Sequence, residues 1–577
     1  MVSLKVIQPL LLLSILTVAE DLARTCKAVP GTASWPSTSD WDALNKTLSG
    51  NLIKPLPPGG VCHPEQPNYD EAACPAVQRA WTTSWSFHIE DPVGNGYNNW
   101  NNDTCLPAPE NPCSADGYPS YVINANTAQH VQAGINFARE RNIRLVVKGT
   151  GHDFRGRTVA PDSLSIWTRH LRGIQVRETF EIETDRQPCK QCSYGPVVTF
   201  ASGEDHSSVF AEVNKHGFML NVGAAGSVGE GGYTTGGGHS VLSFQTGLAV
   251  DNVIQARIVT PDGKIVTANR CKNSELFWAL CGGGGSTLGV VLDFTVNIFP
   301  SVPIAYYTFN FVSTGTDIAH FWDAVAYVVG KYADISKGGA MGYTSVAPAL
   351  GTSPPGYQGS FTAPNMTISE LSALIDPIVE TVDALYPGEI QTVVDTSSWG
   401  SLYEWWTANP DITTATGINV VIGSRILDES ALKHPQLASL IQKATPPRGL
   451  RLYLVAGPGT HQYANDWNSV TPAWRTGYVH AVVSGPFLPL NAASKAAAIN
   501  NVTTTWMDPL RELAPNTGAY QNEANAFDPN FQQEFWGSNY PRLLKAKRQF
   551  DPNDVFWCRS CAGSERWEEV GTQLCKV

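Results

Sequence analysis

Eight glycines fall within the nineteen residues Val222–Ser240, V-G-A-A-G-S-V-G-E-G-G-Y-T-T-G-G-G-H-S, at positions 223, 226, 229, 231, 232, 236, 237 and 238. Each glycine in a regular element costs roughly 0.5–1 kcal/mol relative to alanine, so a packed core has no use for such a run. Something large must lie against that backbone. The run carries no Gly-Lys-Ser/Thr of a P-loop, and a Gly-x-Gly-x-x-Gly match inside it is weak evidence for a Rossmann fingerprint. A second constraint lies upstream, where Ile143–Arg157 reads I-R-L-V-V-K-G-T-G-H-D-F-R-G-R. An aliphatic strand there runs into a glycine turn that presents one imidazole, and its backbone N–H groups are free to face an anion.

Together K-G-T-G-H-D (Lys148–Asp153) and G-S-V-G-E-G-G-Y-T-T-G-G-G-H-S, followed by Gly247-Leu248-Ala249-Val250-Asp251-Asn252-Val253 and the Pro261-Asp262-Gly263-Lys264 turn, resemble the FAD domain of the vanillyl-alcohol oxidase superfamily. Within it the chain is most similar to berberine-bridge-enzyme-like oxidases of the fungal secreted kind. The C-terminal N-Y-P-R-L-L-K-A-K-R-Q-F-D-P-N-D-V-F-W-C (Asn539–Cys558) resembles the closing segment of that family.

The resemblance implies an α+β fold: a two-part PCMH-type FAD-binding domain, and a substrate domain whose antiparallel sheet is backed by helices. It places the FAD-binding part at 117–300, the substrate domain at 301–515, and a segment returning to the FAD domain at 516–577. It further implies an FAD oxidase acting on an alcohol or hemiacetal carbon of a carbohydrate or secondary metabolite, with hydride passing to flavin N5 and O2 reduced to H2O2. Two alternatives stay open: a dehydrogenase using an organic acceptor, and a flavin-holding binding protein with a disabled site.

By the same resemblance, cofactor contacts fall on Lys148, Gly149, Thr150, Gly151, His152 and Asp153, with Lys148 near the pyrophosphate. The second loop supplies Gly223, Gly226, Ser227, Gly229, Gly232, Tyr233, Gly237, Gly238 and His239, joined by Asp251 and Val259. His152 stands where relatives bond FAD through its 8α-methyl. Ala225 stands where many relatives add a second bond from Cys, which implies a single covalent link. Tyr233 replaces a His near the flavin N1 side. In sugar-oxidising relatives a Tyr-x-Asn-Tyr segment carries the base; here it reads Tyr520-Gln521-Asn522-Glu523, so Glu523 or Tyr520 is the expected catalytic base. A base must take the hydroxyl proton as hydride leaves.

The rest of the chain is consistent with a secreted globular protein. With 42% hydrophobic and 16% charged residues over 577 positions it can bury large cores, and a net charge of -12 argues against a nucleic-acid footprint. Residues 1–23 hold Lys5, an apolar run and small residues, the pattern of a secretory signal peptide too short to span a membrane. All twelve cysteines lie beyond it, an even number suited to several disulfides. Two Cys-x-x-Cys pairs, Cys189/Cys192 and Cys558/Cys561, favour structural bonding over zinc, and no resident metal is expected. Sequons at Asn45, Asn102, Asn365 and Asn501 are candidate glycan sites. Partners are expected to be a small-molecule substrate and an electron acceptor, with neither nucleic acid nor membrane, and the chain a monomer.

Residues 24–116, dense in Pro, Asn, Cys and Trp, read as a disulfide-tied extension with little periodicity. Thr127 caps an expected helix with Ala128, Val131, Ile135 and Ala138 on one face. Strands are expected at 288–299, 305–312, 418–422, 450–455 and 477–483, and a helix at 368–385. The aromatic group Trp399, Tyr403, Trp405 and Trp406 fits packing better than ligand stacking.

Overall fold

A computed structural model describes residues 25–185, 189, 191–411 and 415–577. The expected signal peptide, residues 1–23, lies outside the described residues. The architecture is mixed helix and sheet, with three principal sheets.

The first sheet has strands Leu52–Ile53 (β1), Tyr121–Asn124 (β2), Leu145–Lys148 (β3) and Leu164–Trp167 (β4), in the order β1-β2-β4-β3. Its β2, β4 and β3 run parallel, as a helical crossover requires. That crossover is the helix Ala128–Glu140, whose N-cap Thr127 accepts from the His130 N–H and which buries Val131, Ile135 and Ala138, the expected face. The second sheet is antiparallel: Ile174–Arg177 (β5), Val197–Ala201 (β6), Val253–Val259 (β7), Ile265–Asn269 (β8) and Val290–Asn297 (β9), ordered β8-β7-β9-β6-β5.

The third sheet is antiparallel and seven-stranded: Ile304–Ser313 (β10), Met341–Ala347 (β11), Gly356–Pro364 (β12), Ile390–Trp399 (β13), Val420–Asp428 (β14), Leu450–Leu454 (β15) and Gly477–Pro486 (β16), ordered β13-β10-β12-β11-β15-β16-β14. Strict alternation divides its two faces. Along β10, Ala305, Tyr307, Phe309 and Phe311 sink into a core shared with the helices Ile318–Gly330 and Ile368–Leu385. Tyr306, Thr308 and Asn310 face the opposite way, into a cavity. The helix over 368–385 has its expected bounds, and the Thr367/Glu370 capping box sets its start.

The extension, expected to show little periodicity, is built of short elements. It holds helices Thr38–Thr47, Cys74–Thr83 and Trp85–Glu90, the first with a Ser37/Asp40 capping box. These helices are too short for apolar periodicity to show. Disulfides join Cys26–Cys575, Cys62–Cys74, Cys105–Cys113, Cys189–Cys271 and Cys558–Cys561, while Cys192 and Cys281 remain thiols. Neither Cys-x-x-Cys pair is left as a four-thiol zinc set. The C-terminal segment packs on the first sheet: Phe556 bridges Leu145, and the buried Lys547 ammonium donates to the Thr287 carbonyl at 2.9 Å. Among the described residues no helix is long and apolar enough to cross a membrane.

Candidate active site in the inter-sheet cavity

A cavity of about 800 Å³ lies between the two glycine loops and the polar face of the seven-stranded sheet. β3 delivers the first loop to it. Gly149, Thr150, Gly151, His152 and Asp153 all line the wall. Gly151 has φ +81°, and a Cβ there would stand 2.9 Å from the Gly94 carbonyl oxygen, so only glycine brings the next residue into place. His152 lies flat on Trp85 of the extension, with Nε2 buried and without a hydrogen-bond partner. Burial pushes the imidazole down to about 4, so it is neutral at ordinary pH.

Lys148 is placed differently from its expectation. Its ammonium turns away from the cavity and donates to the carbonyls of His88 (3.2 Å), Ile89 (3.1 Å) and Asp91 (2.8 Å), tying the extension to β3. A carbonyl cage, not a pyrophosphate, satisfies its three donors.

In the second loop Gly223, Gly229, Gly232, Tyr233 and His239 line the cavity with Ala225, while Gly226, Ser227, Gly237 and Gly238 lie behind it. These rear glycines serve packing: a Cβ at Gly238, whose φ is +73°, would stand 2.7 Å from the Tyr233 ring. Tyr233 donates to the His239 carbonyl at 2.8 Å, which shapes the loop rather than presenting a hydroxyl to the cavity. Asp251 and Val259 do not reach the wall. Asp251 is a buried clamp, accepting from Arg475 at 2.8 and 2.9 Å and from Asn468 at 2.7 Å. Val259 is an apolar residue of β7.

The C-terminal segment supplies the polar centre. Glu523 accepts from His239 Nε2 at 3.2 Å and from His480 Nε2 at 3.0 Å. Burial alone would raise the Glu523 carboxyl, but the two imidazoles outweigh it and hold the group well below the usual carboxylate range. Burial pushes His480 down, against the pull of Glu523, so the Glu523 carboxylate sits between two imidazole N–H donors. The side chain of Glu523 is 25% exposed and lines the cavity. Ligand atoms of the three side chains lie within 4.8 Å of one another, and hydrogen bonding accounts for that spacing.

Tyr520 sits beneath. Its hydroxyl oxygen accepts from the Gly238 N–H (3.2 Å) and from Asn522 Nδ2 (2.9 Å). Burial and the neighbouring Glu523 push the phenol up, so it stays protonated. Asn522 in turn accepts from Arg157 (3.1 Å), which grips Asp153 through Nε at 2.7 Å. Burial alone would raise Asp153; Arg157 more than offsets this and holds it low. One network therefore runs from the residue after His152 to Tyr520, one of the two expected bases.

Sequence reasoning missed His480 and Trp85. His480 interrupts the apolar strand Y-V-H-A-V-V, a signal that was available. Trp85 lies in the aperiodic extension and gave none. The aromatic group divides: Trp405 and Trp406 line the cavity, with Trp406 donating to the Gly223 carbonyl at 3.0 Å, while Tyr403 packs on Phe210 and Trp399 donates to Ser397. Among the sequons, Asn102 and Asn365 are exposed and Asn45 and Asn501 partly buried.

The residues present fit FAD. The cavity suits a long cofactor, a buried imidazole nitrogen on its wall lacks a partner, and Gly232 has nothing within 4 Å of where a Cβ would stand.

A profile described as an FAD binding domain matches residues 119–269, and one described as berberine and berberine like matches 519–560. The chain is 31% identical over 564 residues to the FAD-linked oxidoreductase patO of Aspergillus clavatus, covering 96% of this chain and 95% of that protein. Among solved structures, the VAO-type flavoprotein MtVAO615 from Myceliophthora thermophila C1 superimposes with a TM-score of 0.86 at 30% identity, over 96% of this chain and 100% of that one. A glucooligosaccharide oxidase from Acremonium strictum, whose FAD is described as 6-S-cysteinyl, 8α-N1-histidyl, shares the fold at 18% identity with a TM-score of 0.60, over 78% of this chain and 92% of that one.

Proposed function

This chain belongs to the berberine-like family of FAD-linked, VAO-type oxidoreductases, and we propose that within it the protein is a secreted oxidase of alcohol or hemiacetal carbons carrying FAD on His152 alone. Bound FAD supplies the two-electron acceptor that takes hydride at N5 and returns the electrons to O2 as H2O2.

The observation that carries the reading is the Glu523 carboxylate, anionic, facing the cavity and held by two imidazoles. It receives the hydrogen bond of the substrate hydroxyl and takes its proton as the carbon is oxidised. His239 and His480 fix its position and spread the charge that arrives. Tyr520, protonated and pinned by two donors, positions this centre and does not act as the base. Trp405 and Trp406 give the apolar wall that keeps water from the reacting carbon.

His152 is suited to covalent attachment because it is neutral, buried and has an unpartnered Nε2. Ala225 offers no sulfur for a second bond. The test is anaerobic mixing with a panel of alcohols and sugars, followed by air. Bleaching of the yellow colour, then H2O2 in amounts matching the substrate consumed, supports the oxidase. Bleaching that recovers only with an added quinone would make the protein a dehydrogenase, and no bleaching with any candidate would favour a binding role.

A further inference from the structure

The cavity face of the seven-stranded sheet is laid out in cross-strand rows. The row nearest Glu523 pairs His480 (β16) with Tyr453 (β15), and Tyr453 with Tyr343 (β11). Two residues along, the next row pairs Arg451 (β15) with Ser345 (β11), Ser345 with Gln358 (β12), and Gln358 with Asn310 (β10). The rows are about 7 Å apart, because alternate residues on a strand share a face.

Arg451 is the charged member of this second row. It is partly buried and lines the cavity. Among the described residues no ion pair or side-chain hydrogen bond involves it. Arg157, on the same wall, is by contrast held by Asp153. Shortage of acids is not the cause, since the chain has 51 Asp and Glu against 39 Lys and Arg. The other acidic groups facing the cavity are Asp411 and the imidazole-held Glu523.

A neutral alcohol closing over Arg451 would bury a guanidinium that no described carboxylate bonds, which is costly. A carboxylate removes that cost, because its two oxygens match the planar fork of donors. We infer that the substrate is a hydroxy acid, whose carboxylate is anchored by Arg451 while its oxidisable carbon lies at Glu523, one row away. Ser345, Gln358 and Asn310 extend the polar row beside the anchor. The inference rests on the alcohol-oxidising reading for the role of the second group, but the anion site itself does not.

The experiment titrates flavin-loaded protein with 4-(hydroxymethyl)benzoate, 3-(hydroxymethyl)benzoate and 4-(hydroxymethyl)cinnamate, each paired with its methyl ester. Binding is read as quenching of tryptophan fluorescence, since Trp405 and Trp406 line the cavity. The acids are expected to bind at least ~10-fold tighter than their esters, charge-assisted bonds being the stronger ones. Arg451→Gln should remove that preference and Arg451→Lys retain part of it, with far-UV circular dichroism confirming the fold of each variant. Equal binding of acid and ester, absence of binding by every acid, or a preference that survives Arg451→Gln overturns the inference. Tight acids that never bleach the flavin would leave the anion site standing and remove the oxidase reading; esters and acids that bleach it equally would do the reverse.

Discussion

The imidazole of His152 lies on the indole of Trp85 with ring centroids 3.7 Å apart and planes 11° from parallel. Gly96 makes room for the contact, since a Cβ there would stand 2.2 Å from the Trp85 ring. The extension thus holds the imidazole in one orientation. Trp85→Ala is expected to lower the fraction of acid-stable flavin several-fold at equal expression, and Trp85→Phe to restore most of it. Full attachment in the alanine variant would reduce Trp85 to a packing residue.

Glu523→Gln keeps the shape of the side chain but loses the anion between His239 and His480. It should cost about 10²–10⁴ in kcat/KM with the flavin still bound, the range of general-base contributions. Tyr520→Phe should cost less in rate, and destabilise by about 1–3 kcal/mol because the Gly238 N–H and Asn522 lose their acceptor. A Glu523→Gln variant with normal turnover would move the base elsewhere.

Much of this fold was legible because the cofactor demands it. Glycines at 149, 151, 223, 229 and 232 mark backbone that ends on the cavity wall, and their density announced a large ligand. What stayed hidden has a common physical cause. Lys148 and Asp251 sit in motif positions, yet their partners are carbonyls at 88–91 and Arg475, fixed by tertiary contacts that no local pattern encodes. Rear glycines such as Gly238 look identical in sequence to those facing the cavity, since a close ring and a close ligand forbid the same Cβ. His480 joined Glu523 only through the register of β16 beside β15, whose residues are far from 523 in sequence.

Asp153 and Arg157 form a buried pair that also positions Asn522. Asp153→Asn leaves the guanidinium without its counter-charge, a change that typically costs about 3–5 kcal/mol. Chemical denaturation should show a loss of that order, accompanied by reduced flavin retention. A loss under about 1 kcal/mol would mean that solvent reaches Arg157.

Acid should loosen the extension. His88 donates from Nε2 to the Trp81 carbonyl at 2.8 Å, its Nδ1 is buried without a partner, and burial pushes the imidazole from 6.5 down to about 4. A folded value below the unfolded one means the contribution is fully present above pH 6.5 and is lost as pH falls through about 4. The loss across that window is about 3 kcal/mol. Thermal midpoints measured from pH 7 to pH 4 should fall less steeply in His88→Gln than in the parent chain; parallel curves would remove His88 as the acid-sensitive group.

The most direct test is the absorption spectrum of purified protein taken before and after acid precipitation, with mass analysis of the peptide that contains His152. Yellow colour should stay with the pellet, the peptide should be heavier by one FAD, and His152→Ala should release or lose the flavin. Colour that passes to the supernatant, or FAD mass on any other residue, would contradict the account.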